Sequence, residues 1–184
     1  MSPCHMFSLR KPRLAVVADP APSLAEQALA HLDDLFGFAR HLTGTAADAE
    51  DLVQETYSRA LAGAARFQPG TNVRAWLFRI LRNCFIDQAR RRKIVLEIPD
   101  DTLDTREDVW EAPALERLRY LAAADVERAL AALPIELRLI VLLDVLGCNE
   151  AEIADIARCA QGTVKSRLSR ARARLRVALQ EHAP

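Results

Sequence analysis

Several residue types and patterns are scarce in this chain of 184 residues, and each absence excludes a class of protein. Aromatic residues make up only 5% of it, so the interior must be built from Leu, Ile, Val and Ala, which fall at helical rather than alternating spacing. The four cysteines form no C-x-x-C pair, which argues against a disulfide scaffold or a zinc knuckle. No nucleophile–base pair, paired carboxylate site or glycine-rich phosphate loop occurs, so we predict no enzyme, no cofactor and no metal site.

The amino-terminal segment lacks a membrane-targeting signal. Its apolar run, Leu14 to Ala18, is too short for a signal-peptide core or a membrane span, so we expect a cytoplasmic protein without membrane insertion. Residues 1–27 contain four prolines and no sustained periodicity. We predict that they form a disordered extension, or that they arise from an upstream start codon.

The formal net charge of zero conceals a separation of charge along the chain. Residues 74–93 carry seven cations and one acid, residues 97–116 carry eight acids and one cation, and residues 162–176 carry six cations and no acid. A helix stabilised by its own surface charges mixes both signs at i, i+4 spacing, whereas residues 162–176 repel one another. This pattern indicates an anionic partner.

Capping signals and helical periodicity predict a first helical domain. One helix is expected from about residue 24 to 42, and Thr45 with Asp48 has the spacing of a capping box that opens the next. Thr71 or Asn72 would cap a third helix. The apolar stripe predicted for this third helix consists of Val73, Trp76, Leu77, Ile80 and Cys84.

A second helical domain is predicted after the acidic segment, which reads as a flexible linker. Pro134 and Gly147 delimit a strongly apolar helix, and Asn149 with Glu152 again has capping spacing. The last helix would begin near residue 161 or 162, so the final two helices form a helix-turn-helix. Small residues along the outer line of the last helix, between flanks of Lys and Arg, are typical of a helix that enters the DNA major groove.

Three segments in this order resemble the extracytoplasmic-function (ECF) sigma factors, two-domain bacterial subunits that direct RNA polymerase to promoters. The segments are DAEDLVQETYSRAL (48–61), NVRAWLFRILRNCFIDQARRR (72–92) and EIADIARCAQGTVKSRLSRARARLR (152–176). The resemblance implies an all-α fold of two small helical domains, a sigma region 2 bundle and a sigma region 4 helix-turn-helix, joined by a flexible acidic linker. The implied boundaries are 1–27 for the extension, 28–94 for region 2, 95–121 for the linker and 122–182 for region 4.

The resemblance also assigns roles to residues of region 2. The residues implied to contact the clamp helices of RNA polymerase, through complementary charge, are Asp48, Asp51, Gln54 and Glu55. The loop from Phe67 to Asn72 and the helix after it would capture an unstacked base of the minus-ten element. The residues implied there are Asn72, Arg74, Trp76, Arg79, Arg82, Asn83, Asp87 and Arg90, of which Trp76 is expected to pack in the core rather than stack on a base.

Region 4 would read the minus-thirty-five element with the last helix. The residues implied are Thr163, Lys165, Ser166, Arg167, Ser169, Arg170 and Arg174. The chain departs from the family at the helix-turn-helix bend, where members often carry Gly and this chain has Arg158. If Arg158 adopts a positive φ, the strain costs on the order of 1 kcal/mol.

The partners implied are core RNA polymerase, through its beta-prime clamp helices and beta flap, promoter DNA, and an anti-sigma factor that covers both DNA-reading faces of an otherwise monomeric, stress-responsive protein. The acidic linker would lie in the RNA exit path or remain passive. Two alternatives stay open. A stand-alone helix-turn-helix regulator would bind duplex DNA by itself as a dimer, and an interaction module would occupy an anti-sigma factor without transcribing.

Overall fold

The computed structural model describes residues 22–68, 70–92 and 123–180. Within these residues the chain forms eight α-helices, one short 3₁₀ turn (Ala64–Arg66) and no β-strand. The helices are α1 (Leu24–Leu29), α2 (Leu32–Thr43), α3 (Ala46–Gly63), α4 (Val73–Arg91), α5 (Ala123–Ala132), α6 (Ile135–Val145), α7 (Glu150–Ala157) and α8 (Gln161–Gln180). The acidic linker and the proline-rich extension lie outside the described residues.

Helices α1 to α4 form the first domain, and the caps that the sequence predicts are present. The Thr45 hydroxyl accepts a hydrogen bond from the Asp48 amide at 3.1 Å, and Asn72 caps α4 by accepting from the Ala75 amide at 3.3 Å. The packed interior contains Phe38 and Phe78, whose ring centroids lie 5.0 Å apart in an edge arrangement. The other fully buried large side chains of this domain are Leu35, Leu52, Leu77 and Leu81.

The single helix predicted over residues 24–42 is two helices. Helix α1 begins with a complete Ser23–Glu26 capping box and ends at Leu29, because His31 leaves helical geometry (φ −105°, ψ 12°). The carbonyl of Ala28 at the end of α1 accepts a hydrogen bond from the Tyr57 hydroxyl at 2.8 Å. The Ala28 carbonyl also accepts from the His31 backbone amide at 3.1 Å, so this helix end is tied to α3 without a Gly or Pro signal.

The buried side of α4 is also wider than the predicted stripe. Val73, Leu77 and Cys84 are buried as expected, but Phe78 and Leu81 are fully buried too, whereas Trp76 and Ile80 are only partly buried. A single stripe assumes one packing partner, and α4 has several: α1, α2 and α3 on one side and α7 on the other.

Helices α5 to α8 form the second domain. Pro134 precedes α6, Gly147 follows it with φ 78°, and Asn149 with Glu152 makes a complete capping box at the start of α7. Arg158 ends α7 in the left-handed conformation, with φ 54°. The fully buried large side chains of this domain are Leu137, Ile140, Leu143, Ile153, Ile156 and Val164.

The two domains are docked, and their buried side chains form one continuous core cluster. Two arginines cross between the domains in opposite directions, each to carbonyls near the end of a helix. Arg74 donates to the Leu146 carbonyl at 2.6 Å, and Arg138 donates to the His41 carbonyl at 3.1 Å. A cation at a helix carboxyl terminus is favourable because the last carbonyls lack partners within the helix. Among the described helices, none has the length and apolar character needed to cross a bilayer.

Candidate polymerase and nucleic-acid interfaces

The predicted clamp-binding residues lie along one side of α3. Asp51 and Gln54 are exposed, whereas Asp48 and Glu55 are half-buried and paired within the domain. Asp48 accepts from Arg92 at 2.8 Å, and Glu55 accepts from Arg59 at 2.7 Å. The Thr45 hydroxyl and the Arg92 guanidinium hold the pKa of the Asp48 carboxyl below its usual range.

A surface groove lies beside this acidic side, between α2 and α3. Its lining residues are Leu32, Asp33, Phe36, Glu50, Val53 and Gln54. Its lining combines apolar side chains with two carboxylates, which suits a partner helix with an apolar face and basic edges. Leu32 and Phe36 have the i, i+4 spacing that places two side chains on one side of a helix, so this apolar contribution was visible in the sequence.

The predicted minus-ten residues begin at the amino terminus of α4. The Nδ2 atom of Asn72 donates to Glu152 of α7 at 2.6 Å. Arg74 is ion-paired with Asp34 at 3.0 Å, and its guanidinium lies 5.3 Å from the centroid of the Phe78 ring. Trp76 packs against Phe67 at a centroid distance of 5.0 Å and is partly buried.

Further along α4, the remaining predicted minus-ten residues differ in their ion-pair partners and in their exposure. Arg79 is ion-paired with Asp155 of α7 at 3.1 Å. Asp87 is ion-paired with Arg59 of α3 at 2.9 Å, and this contact lowers the pKa of the Asp87 carboxyl. Asn83 is half-buried, and Arg90 is exposed. The structure thus places all eight residues on α4 or its cap, but it turns several of them toward protein partners.

Arg82 lies at the contact between the two domains. Burial lowers the pKa of its guanidinium, Glu136 of α6 opposes this shift, and the like charge of Arg158 adds to it. Its Nε atom is buried and has no hydrogen-bond partner among the described residues. Arg82 is therefore held in a cationic environment with one nearby carboxylate of the second domain.

Helix α8 carries the predicted minus-thirty-five residues, and its inner side packs within the second domain. Val164, Leu168 and Ala171 are buried. On the outer side Lys165 is 68% exposed, and it lies 3.6 Å from Glu150 of α7. Arg174 is exposed, and the smaller predicted residues Thr163, Ser166 and Ser169 are half-buried.

Two of the predicted minus-thirty-five arginines are less accessible. Arg170 is only 8% exposed, and its Nε atom donates to the Ser166 carbonyl at 3.3 Å. The Arg167 side chain is 13% exposed and lies 3.5 Å from the Glu136 carboxylate. Lys165 and Arg174 are therefore the exposed long cations of this set.

The described cysteines are packing residues. Cys84 and Cys148 are buried and Cys159 is half-buried, and burial raises the pKa of all three thiols. The Cys148 Sγ atom accepts a weak contact from Arg74 at 3.8 Å. The described part of the chain contains no group of three or more His, Cys, Asp or Glu side chains arranged to hold a metal ion.

Comparison with known proteins identifies both domains. The family model for Sigma-70 region 2 matches residues 28–94, and the model for Sigma-70, region 4 matches residues 123–175. The two helical domains, with their basic helices α4 and α8, are thus those of a sigma-70-type transcription initiation factor.

Relatives that match most of the chain identify the family more specifically. The chain is 40% identical over 156 residues to the ECF RNA polymerase sigma factor EcfG of Rhodopseudomonas palustris (strain TIE-1), with 83% of each protein covered. It is 38% identical over 165 residues to the ECF RNA polymerase sigma factor SigE of Mycolicibacterium smegmatis, which covers 88% of this chain and 63% of that longer protein. The chain belongs to the ECF RNA polymerase sigma factors.

A solved structure agrees with this assignment. The sigma factor RpoE from Bartonella quintana, in a co-crystal with the anti-sigma factor NepR, is 36% identical, with a TM-score of 0.67 over 85% of this chain and 96% of that one. The prediction of an all-α, two-domain ECF sigma factor is confirmed.

Proposed function

We propose that this sigma factor binds core RNA polymerase through the acidic side of α3, reads the minus-ten element with α4, and reads the minus-thirty-five element with α8. Region 2 would comprise residues 28–94, the linker 95–121 and region 4 residues 122–182. Each of the three segments that resemble the family, on α3, α4 and α8, would thus bind one partner: the polymerase, the minus-ten element and the minus-thirty-five element.

The composition of α4 carries the minus-ten assignment. One side of this helix is buried in the core, and the rest bears five arginines between residues 74 and 91 together with Asn83. Cations hold the backbone of a single strand, while an amide such as that of Asn83 can hydrogen-bond the edge of an unstacked base. Asn83 is therefore the residue we assign to base recognition, and Arg79, Arg82 and Arg90 are those we assign to the backbone.

The exposure pattern of α8 supports the minus-thirty-five assignment. Lys165 and Arg174 extend from the two flanks of α8, so these flanks can approach the walls of a DNA groove while the inner side, with Val164 and Ala171, stays packed. Reading by Arg170 and Arg167 would require these side chains to leave their present partners. Both partners, Ser166 and Glu136, belong to region 4, so these side chains would have to rearrange within that domain.

The acidic side of α3 supports the polymerase contact. Exposed Asp51 and Gln54 lie next to the groove between α2 and α3, and a basic clamp helix would complement both its apolar floor and its acidic rim. Region 4 would add the contact with the beta flap.

Regulation by an anti-sigma factor is the fourth part of the proposal. The Bartonella quintana relative is a sigma factor in complex with the anti-sigma factor NepR, and the similarity covers 96% of that chain. We expect a cytoplasmic, stress-responsive protein that is monomeric when free and is held inactive by such a partner.

Run-off transcription tests the proposed function. Core RNA polymerase is assayed with and without the protein on a library of promoters that carries single substitutions in both elements. We expect initiation that needs both proteins, at a shared two-part sequence, and its loss with Asn83→Ala. A protein that yields no transcript but shifts duplex DNA by itself at nanomolar concentration would instead be a stand-alone regulator.

A further inference from the structure

The groove between α2 and α3 leaves apolar surface uncovered on the first domain. Leu32 is 43% exposed and Phe36 is half-buried, and both lie beside buried Val53. The groove has a volume of about 280 Å³, which is slightly below the roughly 300–1,000 Å³ typical of small-molecule sites. It therefore suits a few apolar side chains of a peptide segment better than it suits a cofactor.

Two carboxylates of this groove have no cation of their own. Asp33 and Glu50 are exposed lining residues, and neither forms an ion pair with any residue that the structure describes. By contrast, Asp34, which follows Asp33 in the chain, is ion-paired with Arg74 at 3.0 Å. An occupant that carries cations next to apolar residues would complement both the charge and the apolar surface of the groove.

A segment of this kind precedes the described part of the chain. Residues 10–18 have the sequence RKPRLAVVA, in which three cations and no acid are followed by an apolar run from Leu14 to Ala18. This run is too short to span a membrane, and none of the proposed polymerase or DNA contacts uses it. Its apolar residues match the groove lining, and the cations before it match the two unpaired carboxylates.

The place of this segment in the chain allows it to reach the groove. The described residues begin at Pro22, and only α1 and a short turn lie between Pro22 and Leu32 at the start of α2. The six residues of α1 rise about 9 Å. The twelve residues from Arg10 to Pro22 span up to about 40 Å when extended. A short tether also gives an effective concentration in the millimolar range, so even a weak contact is populated.

We propose that residues 10–18 bind the groove between α2 and α3 of their own chain, with their apolar side chains against its lining and their cations beside Asp33 and Glu50. The segment then covers part of the surface that we assign to the polymerase clamp, so it competes with core RNA polymerase. The competition rests on the proposed function, because it takes the acidic side of α3 as the polymerase surface. The binding of the segment to the groove does not.

Serine substitutions in the full chain test this inference. The segment variant combines Leu14→Ser, Val16→Ser and Val17→Ser, which remove apolar side chains without a change of net charge. In methyl NMR spectra of the free protein, we expect the resonances of Leu32 and Val53 to shift, because the segment leaves the groove. We also expect tighter binding to core RNA polymerase. If the bound form of the segment outnumbers the released form by ten to one, the apparent affinity rises about tenfold.

The matched control combines Met6→Ser, Phe7→Ser and Leu9→Ser. It removes three apolar side chains from the same part of the chain, just before residues 10–18, and should match the wild type in both measurements. A synthetic peptide of residues 10–18, added at millimolar concentration to the segment variant, should return the groove resonances toward their wild-type positions. This recovery separates the loss of a specific contact from a change in folding.

Three results would overturn the inference. The first is a segment variant whose Leu32 and Val53 resonances match those of the control variant, and the second is a peptide that leaves the resonances of the segment variant unchanged. The third is a shift of these resonances without a gain in affinity for core polymerase, because the segment would then not compete. The spectra of the free protein need no polymerase, so failure of the segment to bind is distinguishable from failure of the proposed function in run-off transcription.

Discussion

The Arg59 guanidinium of α3 lies 2.9 Å from the Asp87 carboxylate of α4, which joins the proposed clamp-binding helix to the proposed minus-ten helix. Arg59 also lies 2.7 Å from Glu55, so one cation bridges a residue from each predicted site. The contact raises the pKa of Arg59 and lowers that of Asp87. The proposed clamp-binding and minus-ten surfaces of region 2 are therefore joined through the Arg59 side chain.

Replacement of Arg59 should produce a pH-dependent loss of stability. The folded-state pKa of Asp87 is lowered, so the ion pair stabilises the fold above the unfolded-state pKa of about 3.9 and is lost as the pH falls through the folded-state value. Because both side chains are more than a third exposed, Arg59→Ala should cost less than about 1 kcal/mol at pH 7.

Urea unfolding of Arg59→Ala and of the wild type at several pH values measures this effect. Arg66→Ala is the control, because Arg66 is exposed and its replacement should not change the free energy of unfolding at any of these pH values. A difference between Arg59→Ala and the wild type that persists unchanged at pH 2 would contradict the assignment to Asp87.

Phe78 should be among the most sensitive core positions. Its ring is fully buried and lies edge-on to Phe38, so Phe78→Ala removes packed surface and leaves a cavity, at a cost of about 3–5 kcal/mol. Leu61→Ala is the matched control, because Leu61 is 64% exposed and should change stability by no more than about 0.5 kcal/mol. Equal unfolding midpoints for the two variants in urea would refute this account of the core.

Arg158 and Gly147 allow a paired test of backbone strain. Arg158 has φ 54°, so Arg158→Gly should relieve strain and stabilise the protein by up to about 1 kcal/mol, after the greater freedom of the unfolded chain is deducted. Gly147 has φ 78°, so Gly147→Ala should destabilise it by a similar amount, although no atom would meet the new Cβ within 4 Å. Thermal unfolding should show a higher melting temperature for Arg158→Gly and a lower one for Gly147→Ala. A lower melting temperature for Arg158→Gly would show that contacts of the Arg158 side chain contribute more to stability than backbone strain costs.

Lys165 should contribute to DNA affinity through charge. Its side chain is 68% exposed, so Lys165→Ala leaves the fold intact and removes one phosphate contact. The slope of log affinity against log salt should then fall by about 0.9. Titration of the holoenzyme onto promoter DNA at several KCl concentrations measures the slope, with Gln161→Ala, an exposed neutral position on the same helix, as the control. An unchanged slope would remove Lys165 from the interface.

Local signals allowed much of the fold to be predicted. Thr45, Asn72 and Asn149 cap the helices that their spacing indicates, and Gly147 and Arg158 take the left-handed conformation at helix ends. These features depend on residues within one helical turn, which is the range over which a sequence pattern is informative. The break at His31 was missed because no Gly or Pro marks it, and Tyr57, which bonds to the end of α1, lies far away along the chain.

The partners of the predicted site residues were beyond the reach of sequence reasoning. The resemblance assigned Arg79 to the minus-ten surface of α4, but nothing local indicates that Asp155, more than seventy residues later, would meet it. Arg170, assigned to the minus-thirty-five surface, is instead buried within region 4, where its Nε atom donates to the Ser166 carbonyl of its own helix. Docking between domains combines many weak contacts, and none of these has a signature of its own in the sequence.

The most direct measurement for this sigma factor is permanganate footprinting of a promoter that carries both elements, with core RNA polymerase and this protein together. The account predicts thymines of the minus-ten element that react only when both proteins are present, and whose reactivity is lost with Asn83→Ala. Unreactive thymines with both proteins present, or equal reactivity for Asn83→Ala, would contradict the claim that α4 captures an unstacked base.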